Sequence, residues 1–357
     1  MARDFADNEL APLATQHDRE GKIDPALFAK IAELGLWGLT IPEDFGGAGM
    51  GNLALSLVLE ELNRCCASVG VTVSVHNSLL GAPIMRHGTE EQKKRWLPKL
   101  ATGEHLGCYC LTEPNAGSDA GALRTSAVLD GDEWVINGTK IWVTNGGIAQ
   151  LAIVYVRTDP TASSSKGISA IVVPMDTPGV TVGKAEKKTG IRGSSTTEVE
   201  FDNVRVPKDH LLGELNRGFP IALETLDGGR IGIASQAVGI AKGCLDRSVK
   251  YAKEREQFGK PLARFQAIQW KLADMSTKID ASRALVHKAA WLRDRKEPCT
   301  REAAQAKMFA SQTANWCADE ALQIHGGAGY TDDFDIERLF RDARITEIYE
   351  GATDIQR

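Results

Sequence analysis

Arg341-Asp-Ala-Arg344-Ile-Thr-Glu347-Ile-Tyr-Glu350-Gly351-Ala-Thr353-Asp354-Ile-Gln-Arg357 is the stretch on which the reading turns. A helical pattern runs through Ile336, Leu339, Phe340 and Ala343 and reaches Glu350-Gly351. Glycine is the usual residue just past a helix end, because it tolerates positive φ. The pattern therefore places Glu350 where a helix stops. Glutamates near helix ends are mostly solvated, so position alone gives this one no catalytic role.

Upstream of that stretch the chain is helical back to Gly218. The periodicity predicts one helix over about 219–254, a break at Arg255-Glu-Gln-Phe258-Gly259-Lys-Pro261, a second helix over about 265–295 and a third over 301–324 ending at Gly326-Gly327. Four amphipathic helices with short joints read as an antiparallel bundle. Asp227-Gly228-Gly229-Arg230 lies inside the first of them. Two adjacent glycines cost a helix about 1 kcal/mol each relative to alanine. They mark either a kink or the close approach of another group.

Before the bundle, from about residue 105, the period is that of strands: 125–129, 133–136, 140–143, 151–157, 168–173, 180–182 and 198–201. Asp130-Gly131 and Asn137-Gly138 are tight-hairpin dipeptides. Thr161 to Lys166 reads as a flexible loop. Many short strands with Gly and Pro turns mean a compact β-barrel or sandwich. Two stretches here could carry chemistry. Tyr109-Cys-Leu111-Thr112-Glu-Pro-Asn-Ala-Gly117-Ser118-Asp119 offers a hydroxyl and a run of backbone N–H groups suited to flavin or phosphate oxygens. In Lys140-Ile-Trp142-Val143-Thr144-Asn145, Trp142 at a hairpin end could pack on a flat ring with Thr144 beside it. From physics alone a turn with a core Trp fits as well.

The first hundred residues read as helices, among them Ala26 to Leu34, Leu53 to Leu62 and Glu90 to Leu100. Gly49-x-Gly51-x-x-Ala54 mimics a dinucleotide fingerprint, but Pro42 and its loop replace the required strand, so a turn between helices is expected. The domains expected are 1–104, helical; 105–215, β; and 216–357, a helical bundle.

Bulk composition narrows the classes. Of 357 residues, 43% are hydrophobic and 25% charged, as in an ordinary globular protein, and a net charge of −5 without a basic block gives no reason to expect a nucleic-acid partner. No apolar run approaches a bilayer-crossing length. Met1-Ala-Arg-Asp-Phe lacks an apolar signal region, and its acids argue against a transit peptide. Seven cysteines, including Cys65-Cys66 and Cys108-x-Cys110, have neither zinc nor redox spacing; no metal site and a reducing compartment are expected.

Read together, Arg-Asp-Ala-Arg-Ile-Thr-Glu-Ile-Tyr-Glu-Gly, Thr-Glu-Pro-x-Ala-Gly-Ser-Asp and Trp-x-Thr-Asn resemble segments of the acyl-CoA dehydrogenase family. Pro42-Glu-x-x-Gly-Gly-x-Gly, Gly88-Thr-Glu-Glu-Gln, Lys188-Thr-Gly-Ile-Arg192-Gly-Ser-Ser195, Arg255-x-x-Phe258-Gly and Gln323-Ile-His-Gly326-Gly327 add further landmarks in family order. The likeness covers essentially the whole chain and is strongest to the short-chain, butyryl-type members. It implies a helical, a β and a four-helix-bundle domain, and FAD as cofactor. Glu350 would be the base that removes the substrate's α-proton. Tyr109, Leu111, Thr112, Gly117, Ser118, Trp142, Val143 and Thr144 would hold the flavin, and Ser118 would also face the pantetheine of CoA. Arg255, Phe258, Gln266, Gln323, Gly326 and Gly327 would hold the rest of FAD, partly in a neighbouring subunit's site, which implies a homo-oligomer, usually a tetramer. Thr353 and Asp354 would touch FAD or its edge; Asp227, Arg230 and Gly351 would line the substrate. Some branches place the base immediately before the bundle Arg. Gly229 stands there, so Glu350 fills the remaining base position.

Two departures stand out: Ala352 and Asp354 occupy positions where Thr-Ser-Glu is more usual, and the family has more helix before Asp4 and after Arg357. The resemblance implies dehydrogenation of a short-chain acyl-CoA to a trans-2-enoyl-CoA in β-oxidation of fatty acids. Electrons would pass to an electron-transfer flavoprotein, in a bacterial cytoplasm or a mitochondrial matrix. The sequence leaves open an oxidase that passes electrons to oxygen, and a non-catalytic acyl-CoA- or flavin-binding protein.

Overall fold

The computed structural model describes residues 1–163 and 165–357, so Ser164, within the expected 161–166 loop, lies outside the described residues. Helices α1 (Ala2–Phe5), α2 (Ala14–Glu20), α3 (Ala26–Glu33), α4 (Asn52–Cys65), α5 (Ala67–Val75), α6 (Ala82–His87) and α7 (Glu90–Thr102) form the first part of the chain. Their ends are written in the sequence. Thr89 accepts from the Gln92 N–H at 3.2 Å while the Gln92 side chain accepts from the Thr89 N–H at 3.0 Å, and Gly103 at φ 75° ends the helix. The loop between α3 and α4 carries a single short helical turn, Glu43–Phe45, and no strand. Among the elements given no range from the sequence, α5 is buried on every side, so its Val-rich sequence shows no helical period.

Next come β1 (Gly107–Cys110), β2 (Ser126–Asp130), β3 (Glu133–Thr144), β4 (Leu151–Arg157), β5 (Ile168–Pro174), β6 (Val180–Val182), β7 (Thr196–Pro207) and β8 (Leu211–Leu212). They make one mixed sheet in the order β6-β7-β3-β2-β4-β5-β8, with β1 parallel to β4. The expected barrel or sandwich thus takes the form of a sheet whose order, among the described residues, does not close. It curls so that Val143, Val199 and Phe201 share a core with Val154, Val156 and Val173. β4 alternates: Ala152, Val154 and Val156 face that core, while Leu151, Ile153 and Tyr155 face α6, α7 and the next helix. The two hairpin signals part company. Asp130 pairs with Glu133 across a two-residue turn, as expected. Asn137-Gly138 is not a hairpin; it lies inside β3, at an irregularity in the pairing with β7. A Cβ on Gly138 would sit 2.6 Å from the Thr125 hydroxyl oxygen, so this glycine serves close strand approach.

The last part comprises α8 (Gly218–Glu254), a small hairpin of β9 (Glu256–Gln257) and β10 (Lys260–Pro261), α9 (Gln266–Asp294), α10 (Thr300–His325), α11 (Ile336–Arg344) and a final turn, α12 (Thr353–Gln356). Alanines dominate the α8–α10 contacts, including Ala234, Ala237, Ala241, Ala306, Ala310 and Ala314, all fully buried. Small side chains let helix axes approach closely and leave no voids. Glu60 of α4, 1% exposed, ties the first helices to this bundle by accepting from Arg283 at 2.8 Å and pairing with His287 at 2.7 Å. All seven cysteines are free and buried.

Candidate active site

Glu350 does not sit at the end of α11, as the pattern suggested. That helix stops at Arg344, a single tighter turn follows over Ile345–Glu347, and Glu350 lies beyond it. Its backbone is left-handed at φ 52°, and Gly351 follows at φ 87°. A glutamate gains nothing from that conformation, so the surroundings must hold it. The Gly351 carbonyl accepts from Lys307 Nζ of α10 at 2.7 Å and from Gln356 Nε2 of α12 at 3.1 Å. Thr353 donates to the Glu347 carbonyl at 3.2 Å, folding α12 back on the same turn. α11 is itself pinned: Asp342 accepts from the Ile191 N–H, which brings the 188–195 segment of the β region against it.

The turn aims the Glu350 side chain at α8. A Cβ on Gly229 would lie 2.5 Å from Glu350 Oε2 and 2.9 Å from a Leu79 methyl. On the adjoining face, a Cβ on Gly228 would lie 3.0 Å from the Arg293 guanidinium. The glycine pair is therefore an approach site, not a kink; α8 runs through it unbroken. Glu350 Oε2 is buried and has no hydrogen-bond partner among the described residues. Burial pushes this carboxyl up to about 7, with Lys307 and Arg230 pulling it partly back. Arg230 pairs with Asp227 at 2.9 Å, and Asp227 also accepts from Thr300 at 2.6 Å. The Tyr349 hydroxyl donates to Gln236, whose amide donates to the Ala67 carbonyl at 3.2 Å, which ties the residue before Glu350 to α8 and α5. Tyr109, from β1, is close enough for Glu350 to raise its phenol further, after burial and Tyr155. So β1, α8, α10 and the last turn converge on one carboxyl.

The two candidate flavin segments are held together by a pair the sequence reading passed over. Lys140, fully buried, reaches Glu113 at 2.8 Å and the Leu111 carbonyl at 3.1 Å. Glu113 also accepts the N–H groups of Arg124 and Thr125 at 2.6 and 2.8 Å. The Ile141 N–H donates to the Thr112 carbonyl at 2.9 Å. This clamp sets Leu111-Thr112 beside Trp142-Val143-Thr144. Val143 is core, whereas Trp142 is 59% exposed at φ 58°, an unfavourable conformation for a bulky side chain. Gly117 and Ser118 lie exposed on the neighbouring loop.

The remaining candidates gather elsewhere. Arg255 follows the end of α8; Phe258, 92% exposed at φ 54°, tips the β9–β10 hairpin; Gln266 opens α9. Tyr251 of α8 stacks on His325 of α10, ring centroids 4.3 Å apart, which brings Gln323, Gly326 and Gly327 to the same end of the bundle. From Gly229 to that end α8 rises roughly 38 Å. One chain therefore separates these exposed residues from its own Glu350. Asp354 is exposed, and Thr353 half-buried at the turn.

Lys307 was the other residue missed. Its signal was a lone lysine in the alanine stripe Ala303-Ala306-Ala310-Ala314, where a charge needs a buried partner. No helix among the described residues is long and apolar enough to cross a membrane.

Comparison with known proteins agrees along the chain. Residues 1–104, 108–204 and 216–357 match the N-terminal, middle and C-terminal domains of acyl-CoA dehydrogenase. The mitochondrial short-chain specific acyl-CoA dehydrogenase of Bos taurus is 52% identical over 99% of this chain and 86% of its own length. The structure of butyryl-CoA dehydrogenase from Megasphaera elsdenii superposes with a TM-score of 0.97 at 45% identity, covering 99% of this chain and 94% of that one. A chain from the structure of the electron transferring flavoprotein of Acidaminococcus fermentans, concerned with flavin-based electron bifurcation, gives 0.98 at 46% identity over 99% and 93%. The chain belongs to the acyl-CoA dehydrogenase family.

Proposed function

We propose that this FAD-dependent acyl-CoA dehydrogenase oxidises a short-chain acyl-CoA to the trans-2-enoyl-CoA, with Glu350 as the base. The observation that carries the reading is the Glu350 carboxyl itself: sealed from water at Oε2, unpartnered, and poised to take a proton near neutral pH. The α-C–H of a saturated thioester is far too weak an acid for an exposed carboxylate, so the charge that develops on the thioester oxygen must also be held. The Glu350 N–H makes no hydrogen bond among the described residues, which leaves it for that oxygen. Arg230, paired with Asp227, lies beside Gly351, and Tyr349 donates to Gln236 of α8 next to the base.

The flavin segments fit the cofactor. An exposed indole on a strained residue gains by stacking on a flat ring, and Leu111, Thr112 and Thr144 lie beside it with Tyr109, Gly117, Ser118 and Val143 in the same segments. FAD when bound supplies the hydride acceptor, at N5. Arg255, Phe258, Gln266, Gln323, Gly326 and Gly327, too far from their own Glu350, serve the nucleotide half of FAD in a neighbouring chain, within a homotetramer. Thr353 and Asp354 meet its edge. An electron-transfer flavoprotein is the acceptor that the family supports, and a bacterial cytoplasm or mitochondrial matrix the place of action.

The test is anaerobic. The flavin band of the purified protein bleaches on addition of butyryl-CoA, and Glu350→Gln keeps the yellow flavin but does not bleach. Near wild-type turnover in that variant sinks the assignment of the base. A flavin that stays oxidised with butyryl-CoA but bleaches with longer chains overturns the short-chain reading alone.

A further inference from the structure

Lys307 is the buried charge next to the reaction that the mechanism above does not use. It lies on α10, fully buried, with its stem along the alanine face. Its ammonium donates at 2.7 Å to the carbonyl of Gly351, the residue after the base. Both residues of that turn are left-handed, at φ 52° and 87°. A glutamate holds such a conformation only when its neighbours over-determine it. A lysine in an alanine-lined interior is costly unless its charge is answered, and the chain answers it with the turn that carries Glu350.

We propose that Lys307 is the positioning residue of the base: it fixes the left-handed Glu350–Gly351 turn through the Gly351 carbonyl and stands as counter-charge to the Glu350 carboxylate. The inference rests on Glu350 being the base. It acts from behind, through the backbone, and does not touch substrate. The other charged or titratable groups around the carboxyl are Arg230 on α8, with its partner Asp227; Tyr109 on β1; and Tyr349 and Glu347 on the approach to the turn. Of these, Arg230 is already neutralised by Asp227, whereas the carboxylates that act on Lys307 among the described residues are those of Glu350 and Glu347. The Lys307 ammonium is itself pulled down to about 8, by burial first, against the opposing pull of Glu350 and Glu347.

Two variants of the FAD-loaded enzyme test this. Lys307→Met removes both donor and charge; Lys307→Gln removes the charge and keeps an amide donor on a side chain one bond shorter. Expected for Lys307→Met is a fall in kcat of roughly 10-fold or more with KM for butyryl-CoA nearly unchanged, because a displaced base spoils the attack geometry, not ground-state binding. In both variants the acid limb of the kcat/KM profile moves up by roughly half a pH unit or more, since a lost cation favours the protonated carboxyl. The visible flavin spectrum and the melting temperature show that each variant is loaded and folded. A wild-type kcat and acid limb in the loaded variants overturns the proposal. So does a lower kcat with an unmoved acid limb in both, which marks a packing residue. Should Lys307→Met not fold, Lys307→Gln decides by its acid limb. Glu350→Gln separates the two readings: if it stays active the base is misassigned, and if it is inactive while the Lys307 variants behave as wild type, only the role of Lys307 falls.

Discussion

The Glu350 carboxyl rests against the backbone of Gly229: a single added methyl there would come within 2.5 Å of Oε2. Carboxyl and α8 thus share one volume, and the smallest residue in the helix makes room for the acid. Gly229→Ala must push the carboxyl aside. The expected result is a fall in kcat of about 100-fold. The melting temperature holds or rises, because Gly→Ala inside a helix gains up to about 1 kcal/mol. Steady-state kinetics beside a thermal melt checks both halves, and a wild-type kcat in a folded Gly229→Ala enzyme refutes the contact.

The acidity of Glu350 sets a pH dependence. Burial raises its carboxyl to about 7. As the proposed base, Glu350 must be ionised, so below that value kcat/KM should fall about tenfold per pH unit as pH drops, and level off above it. A profile flat down to pH 5 would mean that the carboxyl is solvated, contrary to the sealed Oε2.

Lys140 and Glu113 form an enclosed ion pair between the two segments proposed to hold the flavin. Burial lowers the lysine, and Glu113 in part restores it; the carboxyl, drawn up by burial, is held below its usual range by Lys140. Removing one partner strands the other. Lys140→Met should cost about 3–5 kcal/mol and release FAD, whereas Lys140→Met with Glu113→Leu should recover part of the stability. Chemical denaturation and the ratio of flavin to protein absorbance give the two readings. Equal losses in the single and double variants would remove the pair from the account.

The length of α8 yields a complementation test. Arg255→Ala alone should lose FAD, and Glu350→Gln alone should lose turnover. If each site draws Arg255 from a neighbouring chain, co-expressing the two variants rebuilds one intact site per mixed pair, with FAD and activity returning to a fraction of wild type. Mixed assemblies that stay inactive would place Arg255 in its own chain's site or outside the flavin site.

Much of this was legible in the residues. The helices of the bundle carry apolar stripes and breakers, so α8, α9 and α10 lie within a residue or two of where the period ends. Glu350-Gly351 was legible as a pair, though the helix before it stops early and the glutamate itself takes the left-handed conformation. What escaped was decided by tertiary contact. α5 has no polar face to set a period. Asn137-Gly138 has hairpin chemistry, but the approach of Thr125 gives that glycine another use. Lys140 and Glu113 are 27 residues apart and meet only in the sheet; Lys307 and Gly351 are 44 apart and meet only when the last turn folds onto α10.

The burial of all seven thiols has a use beyond packing. Burial pushes Cys65 up to about 11 and Cys317 up to about 12, so neither ionises at neutral pH nor meets solvent. A thiol reagent therefore finds nothing to attack until part of the chain opens. The rate of labelling becomes a clock for that opening: Cys317 times the separation of α10 from its bundle, and Cys108 times the loosening of β1 from the sheet. A bound flavin that stiffens the site would slow both clocks, and the difference between them would tell which of the two regions the cofactor holds shut.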